Sequence, residues 1–238
     1  MAYKSLKKIY YKKTEDVEAV YQARCQSEAA YHFDIWIKQH KHKTSYPAFL
    51  CLTQEMFLLM ERIYKSYEVF LYLVNTVPHV ILRQFSLLCI VDEVKSTNDI
   101  EGVRSTRREI KEILDGGIRK SHRLESIVQK YRGLLSKEKI AFGTSRDIRK
   151  FYDEFAHEEV IRDDPRNELD GEIFRKDSVD IASPTERTEH QGIFPEARII
   201  EEMDKALAVL HDEKIPVLIR TAVFHYFFAY IHPFYDGN

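Results

Sequence analysis

His232, Asp236, Gly237 and Asn238 fall within seven consecutive residues, His232-Pro233-Phe234-Tyr235-Asp236-Gly237-Asn238. An imidazole can take a proton near neutral pH. A carboxylate is a hard oxygen ligand for Mg²⁺, which is bound by one or two carboxylates together with substrate phosphates. Gly237 and Asn238 tolerate positive φ, so their successive N–H groups can converge on an anion. The heptapeptide therefore has the parts to hold a phosphate, place a metal ion beside it and keep a proton acceptor near both.

The elements that must position these groups are read from periodicity. Val217 to Ile231 is apolar nearly all round and predicts a fully buried central helix, with Pro216 in its first turn. Pro233 disfavours helical geometry in the residue before it, which places His232 at the junction of helix and loop. Phe234 is then the ring that anchors the loop. Ahead of this helix, Ile199, Ile200, Met203, Ala206, Leu207 and Leu210 share one face of another. Between about Gly171 and Pro195 helical periodicity fails. There, Val179-Asp180-Ile181 and Gln191-Gly192-Ile193 predict a β-hairpin across Ser183-Pro184-Thr185.

Further upstream the pattern is helical. Met56, Phe57, Met60, Ile63, Tyr64, Tyr67, Phe70 and Leu71 recur at three- and four-residue steps until Pro78. This aromatic series reads as core or as a face for a homo-oligomer. Thr106-Arg107-Arg108-Glu109 predicts a capping box, Gly116-Gly117 the end of that helix, and Thr144 or Ser145 the start of another. Leu124, Ile127, Val128, Tyr131 and Leu134 predict a helix between them. His225 reads as a core histidine, and Glu201 and Glu202 as surface residues.

Composition narrows the class. Hydrophobic residues make up 44% of the 238, enough for a sizeable core, and 8 Gly with 7 Pro favour helices over a loop-rich β fold. Thirty-six Lys and Arg against 38 Asp and Glu give a net charge of −2, which offers no reason to expect nucleic acid or an anionic membrane as partner. The apolar region from Val69 to Val91 is broken by Asn75, Pro78, His79, Arg83 and Gln84, too often for a membrane span. Ala2-Tyr3-Lys4-Ser5 leads into charge rather than into a secretory signal. Cys25, Cys51 and Cys89 cannot all pair and lack metal-ligand spacing, so the expectation is reduced thiols in a cytoplasmic protein.

The heptapeptide resembles the opening of the Fic-domain signature, H-P-F-x-[D/E]-G-N-G-R-x-x-R, and agrees at all six specified positions present. Gly171-Glu172-Ile173-Phe174-Arg175 followed by His190-Gln191-Gly192 looks like the family's flap hairpin. The resemblance implies a mainly α fold: a Fic-type helical bundle with a short β-hairpin flap over 86–238, preceded by an N-terminal helical region over 1–85. It implies transfer of AMP from ATP to a hydroxyl of a target protein. His232 would be the base, Asp236 the Mg²⁺ ligand and Gly237-Asn238 the start of the anion hole. Val179, Ile181, His190, Gln191 and Gly192 of the flap would dock the target segment by strand addition.

Thr97-Asn98-Asp99-Ile100-Glu101-Gly102 is similar to the family's inhibitory motif, [S/T]-x-x-x-E-[G/N]. That similarity implies autoinhibition by Glu101, with Thr97 and Gly102 as the motif's other fixed positions. The signature's following Gly-Arg-x-x-Arg does not appear after Asn238, so weak ATP binding and slow or absent transfer are expected of this polypeptide. Two alternatives stand beside the AMP-transfer reading. One is a non-catalytic interaction module. The other is a variant that moves a different phosphate-containing group or removes AMP.

Overall fold

The computed structural model describes residues 4–100, 104–116, 128, 133, 142–182 and 188–238. Two short helices open the chain, α1 (Leu6–Lys12) and α2 (Val17–Cys25). Their first turns are capped by the side chains of Ser5 and Asp16, which accept orphan backbone N–H groups. Strands β1 (Ala30–Lys38) and β2 (Ser45–Cys51) follow, then the long helices α3 (Gln54–Thr76) and α4 (His79–Ile100) and the shorter α5 (Arg107–Leu114). After these come α6 (Ser145–Tyr152), a π-turn (Asp153–His157), α7 (Glu158–Asp163) and a 3₁₀ turn (Pro165–Asn167). Strands β3 (Asp180–Ala182) and β4 (Thr188–Gln191) precede α8 (Glu196–His211) and α9 (Val217–Ile231). The architecture is mainly helical with two small antiparallel strand pairs, as the resemblance implied.

Two compact units emerge. The first comprises residues Met1–Glu68, Asp170–Phe234 and Asn238. Its core is a helix pair: Ile199, Met203, Ala206 and Leu207 of α8 and Ile219, Val223, Phe227 and Ile231 of α9 are all buried. Phe33 of β1 meets Phe227 edge-on with ring centroids 5.5 Å apart. The Tyr230 hydroxyl accepts the Lys38 backbone N–H at 2.7 Å, which ties β1 to the last turn of α9.

The second unit comprises Val69–Leu169 and Tyr235–Gly237. Ile90, Val91 and Val94 of α4 form a core cluster with Ile110 and Ile113 of α5 and with Val128. Both capping boxes here have the reciprocal bonds that spare orphan N–H groups, Thr106 with Glu109 and Thr144 with Asp147. Gly116 has φ +81° just past α5, and the break at Pro78 separates α3 from α4. The helix expected from Leu124 to Leu134 lies almost wholly outside the described residues.

Four expectations are corrected. The N-terminal region is not purely helical: β1 and β2 pair antiparallel, Ala30 opposite Cys51 and Lys38 opposite Ser45, with an irregularity between His32 and Trp36. Buried Phe33 and Ile35 alternate with exposed Asp34 and Trp36, a period of two rather than 3.6. Helix α9 is buried along one stripe, at 219, 223, 227 and 231, rather than all round. Apolar composition shows that a face can be buried, while the placement of neighbours decides which one is. His225 is accordingly exposed and not a core residue. Glu202, read as a surface acid, is buried on α8, with Arg198 and Lys205 one turn away on the same helix.

Candidate functional site

The C-terminus of α9 carries His232. Its N–H closes the last turn on Phe228 O at 2.9 Å, and its backbone then turns left-handed, φ +52° and ψ +65°. A residue with a Cβ pays about 1–2 kcal/mol for that conformation, so the surrounding structure must hold it. Arg175 is the holder. This side chain is fully buried, and its guanidinium is met by main-chain carbonyls. Nε donates to His232 O at 3.0 Å, and Nη2 donates to His232 O at 2.7 Å and to Ile193 O at 2.9 Å. Nη1 donates to Asp177 O. A cation on the last carbonyls of a helix also suits the helix dipole.

The remaining supports are an aromatic contact and a carboxylate. Phe234 buries its ring, 2% exposed, edge-on to Phe174 at 5.5 Å, the anchoring role its type suggested. Residues 173 and 174 are themselves fixed, because Glu196 at the start of α8 accepts their N–H groups at 2.6 and 3.0 Å. Burial pushes the Glu196 carboxyl up, but the backbone donors from Ile173, Phe174 and Glu172 outweigh it and hold the group below its ordinary value.

The hairpin lies in the segment where the alternation placed it, but β3 starts one residue later than Val179 and β4 starts three residues before Gln191. Asp180 pairs with Gln191, Ile181 with His190 and Ala182 with Thr188, and Gly192 N–H extends the ladder to Val179 O at 2.9 Å. The strands joined in this way contain or adjoin Val179, Ile181, His190, Gln191 and Gly192. His190 stacks on Tyr230 with centroids 4.7 Å apart, and its Nε2 lies 2.6 Å from Tyr230 O. Gln191 Nε2 donates to Asp180 Oδ1 at 3.1 Å across the hairpin. Gly192 is buried where the hairpin passes the helix end. A Cβ added there would stand 2.3 Å from Arg175 Nη2 and 3.2 Å from His232 Cβ, so only glycine admits this approach.

The loop after Phe234 is closed by Asn238. Its Oδ1 accepts Phe234 N–H and its Nδ2 donates to Phe234 O, both at 2.9 Å. Gly237 takes positive φ, +74°, as expected, and its N–H donates to the exposed Asp236 carboxylate at 2.7 Å. Around Gly237 the packing is tight: a Cβ would lie 3.0 Å from Val160 and 3.3 Å from both Ala156 and Tyr152. Burial pushes the Tyr152 phenol up to about 12, and the negative charge of Asp236 adds to the effect. Among the described residues no group of three or more His, Cys, Asp or Glu side chains is assembled to hold a metal. A Mg²⁺ ion bound mainly by phosphates needs no such group, and the single exposed carboxylate of Asp236 fits that role.

Thr97 is half-buried near the end of α4, next to Asn98, whose Nδ2 donates to Ser105 Oγ at 2.9 Å. Glu101 and Gly102 lie outside the described residues. Sequence reasoning quoted Arg175 only as part of the flap and missed Tyr230 and Lys38. The signal for Arg175 is a basic residue placed directly after the apolar pair Ile173-Phe174, where a solvated side chain is out of place.

The comparisons with known proteins agree with this reading of the fold. The crystal structure of a Fic family protein from Desulfovibrio desulfuricans G20 superposes with a TM-score of 0.54 at 22% identity. The match covers 79% of this chain and 55% of that one, so this chain spans about half the length of that protein. The fold is therefore of Fic type. Residues 143–238, which include the β3–β4 hairpin and the heptapeptide, match the family model of the Fic/DOC family. No curated protein gives a significant match. Among the described residues no helix is long and apolar enough to cross a membrane.

Proposed function

We propose that the chain carries the active site of a protein adenylyltransferase, which moves AMP from ATP to a Ser, Thr or Tyr hydroxyl of a target protein. The observation that carries the reading is the heptapeptide in its setting. An imidazole stands on a locked left-handed helix end, and a carboxylate and a positive-φ glycine follow four and five residues on. In the proposed step His232 takes the proton of the target hydroxyl. That oxygen bonds to the α-phosphorus of ATP, the bridging bond to the β-phosphate breaks, and pyrophosphate leaves. Gly237 N–H, now satisfied by Asp236, would turn to a phosphate oxygen as charge develops there. Asp236 is the residue that would hold Mg²⁺, which supplies charge neutralisation on the phosphates when bound. The β3–β4 edge would align the target segment as an added strand.

Autoinhibition through Glu101 is part of the proposal and rests on the motif from Thr97 to Gly102 alone. A cytoplasmic site of action fits Cys25, Cys51 and Cys89, which are free thiols. The test is incubation with α-³²P-ATP and Mg²⁺, of this polypeptide and of a version carried on through the signature's Gly-Arg-x-x-Arg, with self-labelling and labelling of a lysate as readouts. Label is expected to rise in Glu101→Gly and to vanish in Glu101→Gly/His232→Ala. Absence of label in every form would leave the fold as a non-catalytic module. Label from γ-³²P-ATP but not from α-³²P-ATP would mean that a phosphate is moved instead.

A further inference from the structure

We propose that Arg175 is a positioning residue for His232. Its buried guanidinium sets the backbone that carries the imidazole and couples that backbone to the flap. The inference deepens the adenylyltransferase reading and rests on it for the role given to His232.

Five donor contacts define the clamp. Two nitrogens converge on the carbonyl of His232 itself, at 3.0 and 2.7 Å, and a weaker contact reaches Ile231 O at 3.5 Å. The other two go to Asp177 O and Ile193 O, which bracket the hairpin on both sides. The Arg175 N–H adds a long bond to Pro233 O at 3.4 Å, on the far side of His232. One planar group thus joins the start of the flap, its end, the last residue of the helix and His232 that caps it.

The chemistry of the group explains why it must be arginine. The rigid fork presents donors in several directions at fixed angles, and it stays charged when buried. A lysine ammonium offers three donors from one atom and cannot reach carbonyls on both sides of the hairpin together. His232 sits in a conformation that costs energy for any residue bearing a Cβ, so its imidazole stays placed only while its carbonyl is held. Gly192 completes the arrangement, because a side chain there would occupy the space of the guanidinium.

The experiment uses the full chain labelled with ¹³C,¹⁵N-histidine, in which His232 is assigned by the peak missing from His232→Ala. In Arg175→Gln the His232 ring signals are expected to shift or split, while His211, which ends α8, and His225, two turns back on α9, keep their positions. Arg175→Lys should restore them in part. Should Arg175→Gln fail to fold, Gly192→Ala displaces the guanidinium from outside and is expected to move the same signals. In self-labelling with α-³²P-ATP, Arg175→Gln should lower the rate at saturating ATP about 100-fold, the loss typical of a misplaced catalytic group. The half-saturating ATP concentration should change less than about threefold, since ground-state binding is not what the clamp serves. Unchanged His232 signals in a folded Arg175→Gln would overturn the proposal. A wild-type version carried on through the signature's Gly-Arg-x-x-Arg that transfers no AMP, beside a chain that shows the expected spectral response, would instead remove the adenylyltransferase reading and leave the clamp standing.

Discussion

His232 occupies a position where most proteins place glycine, the left-handed residue that ends a helix. Its stability cost and its chemical use can be separated by two substitutions that both delete the imidazole. His232→Gly is expected to be more stable than His232→Ala by about 1 kcal/mol, since only the alanine keeps the Cβ that the conformation penalises. Urea melts of the two variants measure the difference. Equal midpoints would mean that the helix end relaxes in solution. Gly237 shows the same logic without the compromise, since its positive φ disfavours any residue with a Cβ and Val160 crowds the position. These residue-scale features were legible where they are local. The proline after His232, the glycine before Asn238 and the aromatic at 234 each have a conformational meaning that needs no tertiary context. The Arg175 clamp spans 57 residues, and nothing in its immediate neighbours says which carbonyls it will find.

At the scale of elements, Glu196 links the start of α8 to the bend that carries Arg175. Its carboxyl is held below the ordinary value, so the folded state binds a proton there less readily than the unfolded chain does. The stabilisation is complete above the unfolded value, about 4.3, and is lost as pH falls through the lower folded value. Glu196→Gln is expected to cost about 1–2 kcal/mol near neutrality, typical of hydrogen bonds to a charged acceptor. In thermal melts the gap to wild type should close on acidification below about pH 4. A gap that stays constant with pH would show that the carboxylate charge is not what matters. Helix boundaries at this scale were readable because caps are short-range: Thr106 with Glu109 and Thr144 with Asp147 fell where the pattern put them. The β1–β2 pair escaped because its alternation covers few residues, is broken between His32 and Trp36, and precedes a much longer helical signal.

At the scale of the molecule, burial is concentrated in two cores, while α3 has no buried residue along its 23. Ile63 is 42% exposed and Ile199 is fully buried, although both sit on amphipathic faces. Ile199→Ala is expected to cost about 2–4 kcal/mol, the range for emptying a core site, and Ile63→Ala under about 0.5 kcal/mol. Denaturant melts of the isolated chain check both. A cost at Ile63 as large as at Ile199 would mean that the α3 face is covered in solution. Periodicity located this face correctly as apolar, yet it could not say whether core or solvent lay against it, because both readings write the same spacing.

The bond between Lys38 and Tyr230 joins positions 192 residues apart, and this has a bearing on how the protein is born. A ribosome adding roughly 5–20 residues per second delivers Tyr230 some 10–40 seconds after Lys38. A lone two-stranded hairpin is marginal in water, so β1 and β2 wait until α9 has been made for the helix they brace. His232 follows Tyr230 by two residues. The β1–β2 hairpin, the β3–β4 hairpin and the Arg175 guanidinium have therefore all been made by the time the end of that helix leaves the ribosome.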